Sequence, residues 1–522
     1  METNAVTGPC VAALRRLRAN RRMSVFRPLP LGTPIPGSLH SVSCSLPTMA
    51  DVTGYEERDP RVLEAMRAGY PRFAIHPLVQ EVTRELTGAV AKPGEQLWPV
   101  LTARAAAALV AQLGAERARA SAHAGVAVVL HAADPELAQR AKLWLQHTGG
   151  LLSSRGAEDA LERLGRRAAV TTESIFSGDA RAEVERVLLP LFGGASKRDL
   201  FLAGSGMGAM HAAFRAISRV QATRGRTAWV QLGWLYLDTI ALLKKFTPDP
   251  ARDHLVQHDV TNLSALEKLF AEHGARIAGV VTEAPTNPLL QTGDLAAIQA
   301  LAHRHGARVI ADPAIASPFN VDVLPHADIT AFSLTKYASH EGDVMVGAAV
   351  VNPAGPDADV LRATLSNELD APYARDLCRL AAEIGSAPDV VRRINHTTPL
   401  VASFLERHSR VERVWWSQQR STAANYAKLA RTPESVGAVI SFTLRGPLAP
   451  FYDRLTLAKG PSFGMATTLI CPYVYLAHYD LLPSRSSGAV LREAGLPAEL
   501  LRLSVGTEPA SEIIAALAAA LE

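Results

Sequence analysis

From about residue 196 onward, short apolar runs alternate with stretches whose apolar residues recur every three or four positions. The runs TAWVQLG (227–233), ARIAGVVTEA (275–284), ARVIADPAIA (307–316), DITAFSLT (328–335) and VMVGAAVVN (344–352) predict strands. MHAAFRAISRVQA and DLAAIQALAHRHG, between them, predict amphipathic helices. Apolar strands alternating with helices imply an α/β fold, a mostly parallel sheet covered on both faces. After about 376 the pattern mixes, with GAVISFTLRG (437–446) a clear strand, which predicts a smaller α+β C-terminal domain. Upstream, residues 60–165 read as an α-rich extension: RVLEAMRAGY, PLVQEVTRELTGAVA, ARAAAALVAQLGAERARASA and ELAQRAKLWLQ carry helical spacing, interrupted by one strand-like run, GVAVVLHA (125–132). Residues 28–48, rich in Pro, Ser and Gly, read as an extended arm. The expected division is a leader and arm over 1–59, the extension over 60–165, a large domain over 166–375 and a small one over 376–522.

Composition narrows the class. A net charge of +4 over 522 residues, with no dense basic run among aromatics, argues against a nucleic-acid partner. No run approaches the ~18–20 apolar residues of a membrane helix, so no membrane partner is expected. Four cysteines, Cys10, Cys44, Cys378 and Cys471, lie far apart without CxxC spacing; a reducing cytoplasm fits, and no metal site is expected. After Glu2 no acidic residue occurs before Asp51, while Arg15, Arg16, Arg18, Arg21 and Arg22 cluster ahead of Met23. Such a start reads as an organelle transit peptide, a disordered leader or a true start at Met23.

Chemistry concentrates at the predicted strand ends, where parallel sheets hold their ligands. Asp312 ends an apolar strand, where a carboxylate is costly without a cationic partner. A protonated pyridine nitrogen is one such partner; a helix cap or a solvated strand end is the plainer use of an Asp there. Ser333-Leu334-Thr335-Lys336 ends another strand, with two hydroxyls suited to phosphate oxygens and a lysine able to form an imine once its pKa is lowered. A lysine after a strand is more often simply solvated, yet the two motifs one βαβ step apart are a stronger signal than either alone. Gly204-Ser205-Gly206-Met207-Gly208 opens a helix and can offer backbone N–H groups to an anion, or merely cap it. Tyr236 could stack on a flat ring or serve the core. Glu283 and Asn287 in TEAPTNP could address a ring hydroxyl or form a turn.

Taken in order, SGM (205–207), YLDT (236–239), EAPTNP (283–288), Asp312, SLTKY (333–337), KGPSFGMATTLICP (459–472) and LLRLSVGTE (500–508) resemble the motifs of the Cys/Met-metabolism family of fold-type I pyridoxal-phosphate (PLP) enzymes. The resemblance covers roughly residues 170–522. It implies an aminotransferase-like large domain with pyridoxal 5'-phosphate held as a Schiff base on Lys336 and Asp312 on the pyridine nitrogen. It further implies Tyr236 on the ring, where it can also act as acid or base. Asn287 with Glu283 would lie beside the ring, and Ser205, Gly206, Met207, Ser333 and Thr335 around the phosphate. Ser462 and Arg502 would take the substrate carboxylate. A homodimer pairing into a homotetramer is implied as well.

Two departures stand out. The family's Tyr-x-Arg arm is here ESIFSGDAR, with Phe176 and Gly178 at those positions and Arg181 as the substitute on offer; the family's YGGT is YLDT. The long N-terminal part, with SLPTMADVTGYEE, GYPRFAIHPLVQEV and KLWLQHTGGLLSSR, resembles the extended cystathionine γ-synthases best known from fungi. The implied reaction is γ-replacement on an activated homoserine by cysteine, giving cystathionine. γ-Elimination (a cystathionine or methionine γ-lyase) and sulfhydrylation are the alternatives on the same residues, and a non-catalytic regulator on the same fold is the alternative of another class.

Overall fold

The computed structural model describes residues 26–69 and 74–522. The Arg-rich leader, Met23 and four residues of GYPRFAIHPLVQEV therefore lie outside the described residues. The central sheet has seven strands, in spatial order Leu200–Ala203, Gly347–Val351, Ile329–Ser333, Arg308–Asp312, Ile277–Glu283, Ala228–Leu232 and His254–Gln257. Only Gly347–Val351 runs against its neighbours; the remaining pairings are parallel. Successive residues of a strand face opposite ways. Trp229, Val281 and Ile310 accordingly join the helix Gly206–Ala222 in one core, while Val230, Val280 and Val309 pack with Leu266, Phe270 and Ile298 in the other. Two covered faces explain why these strands read as continuous apolar runs rather than as alternation. The fold is that of the fold-type I PLP enzymes, as expected.

A second, five-stranded sheet has the order Val411–Trp415, Val439–Leu444, Leu501–Ser504, Leu469–Pro472 and Ala458–Lys459. Cys471 and Ser441 flank Arg502 across its neighbouring strands, which fixes the height at which the arginine leaves the sheet. The arm of residues 28–48 lies along this part of the chain. Its Val42 N–H donates to Gly342 O at 2.9 Å and its Leu46 N–H to Lys459 O at 2.9 Å, and residues 40–46 are buried.

The extension is richer in strand than its helical spacing predicted. Glu95–Val100, Val126–Ala132 and Ala118–His123 form a three-stranded antiparallel sheet. The helix expected through ARAAAALVAQLGAERARASA stops at Leu113, because Gly114 adopts φ 103, and the chain returns as a strand. Pro99 sits in an edge strand, where its missing N–H costs no ladder bond. The helix Pro135–Thr148 packs beside the helix Gly206–Ala222 of the large sheet. Among the described residues no helix is long and apolar enough to cross a membrane.

Candidate active site

Glu283, Asp312 and Ser333 each end a parallel strand of the large sheet, and Asp312 lies level with Glu283 in register. Lys336 follows three residues after Ser333, Tyr236 four after Leu232, and Ser205 two after Ala203. Topology thus delivers all of them to one edge, as the position of ligands in such sheets requires. They line one cavity together with Gly206, Met207, Asn287, Thr335, Ser462 and Arg502. Its empty space is about 1510 Å³, the open mouth included. Every residue that the resemblance places at the cofactor or the substrate carboxylate is in that lining.

Lys336 is 7% exposed, and its Nζ donates to Ser462 Oγ at 3.1 Å, 5.0 Å from the centre of the Phe463 ring. Ser462 holds φ 99, a strained conformation for a residue with a side chain, and one that clusters at functional sites. Arg502 is buried; it donates to Asn287 Oδ1 at 3.0 Å and lies 5.2 Å from the rings of Phe463 and Tyr473. The oxygens it reaches, Asn287 Oδ1 and Ser462 O, are both neutral. A buried guanidinium held by neutral oxygens and ring faces is suited to receive an anion.

The carboxylates behave in the opposite sense. Asp312 opens on the cavity, yet burial pushes its carboxyl up to about 7, and the Ala314 N–H at 2.8 Å offsets only part of this. Glu283 is also pushed well up, by burial first and then by the nearby Asp312 charge. The N–H groups of Tyr236 (2.5 Å) and Asn287 (2.9 Å) and the Arg502 charge pull the other way. Two buried acids so raised fit a cationic ring nitrogen, which would return Asp312 to the ionised form. At the other end of the cavity Ser205 caps the helix Gly206–Ala222, accepting from Gly208 N–H at 3.0 Å. A Cβ on Gly206 would lie 2.8 Å from Ser333 Cβ, so only glycine lets the helix start approach the strand end so closely. A helix N-terminus beside the Ser333 and Thr335 hydroxyls fits a phosphate. The residues present therefore fit pyridoxal phosphate at both of its ends.

Several lining residues escaped the sequence reading. Phe463, within a recognised motif, borders both cations, and Tyr473, just past it, borders Arg502. Leu145, Gln146, Gly149, Leu151 and Ser153 come from the extension's KLWLQHTGGLLSSR, which marks the long layout but gave none of its residues a role in the site. Arg181 does not reach the cavity; Glu185 holds it at 2.8 Å on its own helix. Phe176 lies on its own chain, its N–H on Cys378 O at 3.0 Å.

A buried lysine, a raised aspartate and a capped helix end are thus gathered on one sheet edge. The family described as "Cys/Met metabolism PLP-dependent enzyme" matches residues 179–522, and the chain belongs to it. The chain is 40% identical to an L-2-amino-4-chloropent-4-enoate dechlorinase/desaturase of Streptantibioticus cattleyicolor, covering 91% of this chain and 95% of that protein. It is 27% identical to a cystathionine gamma-synthase of Neurospora crassa across 95% of this chain and 98% of the other, so the long layout extends through the N-terminal part. Among solved structures it resembles the gamma lyase CalE6 from Micromonospora echinospora at 26% identity and a TM-score of 0.53, over 64% of this chain and 86% of that one. The chain is thus a PLP-dependent enzyme of small amino-acid metabolism.

Proposed function

We propose that this enzyme expels a leaving group from the γ-carbon of an L-amino acid, with Lys336 as cofactor tether and proton carrier. The observation behind this reading is the buried Lys336 Nζ, set beside Ser462 in the cavity that also holds Asp312 and Arg502. When bound, pyridoxal phosphate supplies an electron sink conjugated with the substrate's α-carbon. Asp312 would hold the proton on the ring nitrogen, and Tyr236 would lie against the ring. Asn287, steadied by Glu283, would address the ring hydroxyl, while Ser205, Gly206, Met207, Ser333 and Thr335 would bind the phosphate. Arg502 and Ser462 receive the substrate carboxylate, which orients the α-hydrogen toward Lys336 Nζ. Once released by the substrate's amine, Lys336 takes the proton from Cα, and removal of a Cβ proton then lets the γ-substituent leave. Tyr236 is placed to give or take a proton at the departing group.

The long N-terminal layout, which continues through the match to a cystathionine gamma-synthase, supports γ-replacement, in which cysteine's thiolate adds at the γ-carbon of an acylated or phosphorylated homoserine and yields cystathionine. A second reading, elimination without an external nucleophile, is favoured by a specific observation. Lys336 and Arg502 are the only cations among the described lining residues, and Arg502 alone has the planar fork that suits a carboxylate. The 40%-identical relative is named for loss of chloride from the fourth, γ, carbon of an amino acid with one carboxylate. A cytoplasmic homodimer or homotetramer belongs to the same proposal, in keeping with Cys44, Cys378 and Cys471 standing as thiols rather than in disulfides.

The test is to supply the reconstituted enzyme with O-acetyl- or O-succinylhomoserine, with and without cysteine, and separately with 2-amino-4-chloropent-4-enoate. Cystathionine that appears only with cysteine supports replacement, and chloride release without cysteine supports elimination. 2-Oxobutyrate from cystathionine alone would mark a lyase. If every substrate keeps its γ-substituent, the proposal is wrong.

A further inference from the structure

Tyr236 stands at the start of the helix Leu237–Phe246, and two residues on, Asp238 is 2% exposed. Its Oδ1 accepts a hydrogen bond from Gln146 Nε2 at 2.8 Å, across 92 residues of sequence. Gln146 belongs to the last turn of the helix Pro135–Thr148, in the extension, and both residues line the active-site cavity. His147, next along that helix, is buried with Nε2 3.7 Å from the same oxygen.

The end of this helix is clamped in place. Gly149 closes it at φ 70, where a Cβ would lie 2.1 Å from Ser205 Oγ and 2.8 Å from Gly208 N. Gly150 O then accepts from Leu101 N–H at 2.9 Å, and Leu151 bridges to Val100. The extension therefore rests directly on the start of the proposed phosphate-binding helix and reaches the loop that carries Tyr236. Leu145 and Leu151 wall the cavity between those two contacts.

We propose that Gln146 is a positioning residue: through Asp238 it sets the loop of Tyr236 against the cofactor, making the extension part of the catalytic unit. This rests on the reading of Tyr236 as a ring-side residue. An amide-to-carboxylate bond is short and directional, and in a buried setting it is stronger than between neutral groups. Its loss lets the loop drift, and a displacement of the order of 1 Å at a catalytic contact lowers turnover by up to about a hundredfold.

The test combines Gln146→Ala, Asp238→Ala and the double variant. For each, cofactor affinity is titrated by absorbance on the cofactor-free protein, and kcat, KM and the visible circular dichroism of the bound cofactor are read. Gln146→Ala is expected to weaken cofactor affinity or kcat by about tenfold, to alter the dichroic band, and to leave thermal unfolding of the cofactor-free protein nearly unchanged. In the Asp238→Ala background it is expected to add little, since the two act as a pair. Gln146→Glu, which sets two carboxylates face to face, is expected to be worse than Gln146→Ala and covers the case in which Asp238→Ala fails to fold. An unchanged dichroic band and affinity, full additivity in the double variant, or a Gln146→Glu protein no worse than Gln146→Ala would each overturn the proposal. A pyridoxyl adduct still found on Lys336 in those proteins would show that the cofactor reading stands while the positioning idea has failed.

Discussion

Two clusters of buried charge lie close together in this chain and differ in how fully they are compensated. The first centres on Arg155, a wholly buried guanidinium bonded to Glu173 (2.7 Å), Asp376 (3.2 Å) and Asp343 O (2.7 Å). Around it, Arg375 pairs with Glu158 and Glu173, and Arg379 with Asp343. Burial would raise Glu158, but hydrogen bonds from Thr171 and Arg375 prevail and hold its carboxyl at about 2. The second cluster comprises Asp312, Glu283, Lys336 and Arg502, where burial prevails and Asp312 rises to about 7. The difference separates fastening from function. Arg155 ties the extension helix Ser154–Arg163 to the helix Ala374–Ile384, and its partners are all in the chain. In the strand-end cluster burial outweighs the hydrogen bonds that Asp312 and Glu283 receive, which suits the positive charge that a cofactor would bring. Asp376 lies on the boundary, lining the cavity as well as binding Arg155, and burial pushes its carboxyl up.

That contrast breaks down if variants in the two clusters behave alike. The largest expected effect is from Lys336→Ala, which removes the proton carrier and should lower kcat by about 10²–10⁴-fold, read in steady-state assays. Arg155→Met should leave the cofactor attached. It should cost roughly 3–5 kcal/mol in urea unfolding of the cofactor-free protein, because a buried charge partner is lost. Arg502→Lys keeps the charge but loses the planar fork, so the substrate KM should rise by about tenfold or more with little change in unfolding.

A separate effect is one of pH. Asp312 is raised from an ordinary 3.8 to about 7 in the folded protein, so the fold retains its proton longer than the unfolded chain does. The resulting stability is fully present below about 4 and is lost as pH rises through about 7. Thermal melts of the cofactor-free protein between those values should show this slope, and Asp312→Asn should lack that part of it. Bound cofactor should flatten it as well, since a cationic ring nitrogen keeps Asp312 ionised. An equal slope with and without cofactor would contradict the pairing.

The large sheet was legible because burial on both faces leaves long apolar runs, and because Asp312 and SLTK close two of them. The edge strand His254–Gln257 was not, since Val256 is 43% exposed and no run forms. Ala118–His123 escaped for a similar reason: its outer residues are polar or small, and Ala and Arg suit a helix by propensity. The cofactor side of the site could be read from motifs, as each motif sits whole at one strand end. The extension's share could not. The bond from Gln146 to Asp238 depends on how two distant helices pack; Asp238 stands out in YLDT and Gln146 lies in KLWLQHTGGLLSSR, but neither segment points to the other as its partner. Arg181, offered only as a substitute for the arm's arginine, pairs with Glu185 one helical turn away.

The most direct test is borohydride reduction of the PLP-loaded enzyme followed by peptide mass spectrometry. With Lys336 as the tether, the pyridoxyl group should be found on the peptide that contains SLTKY and on no other lysine. An adduct elsewhere, or none at all after reduction of a loaded enzyme, would contradict the claim that this amine carries the chemistry.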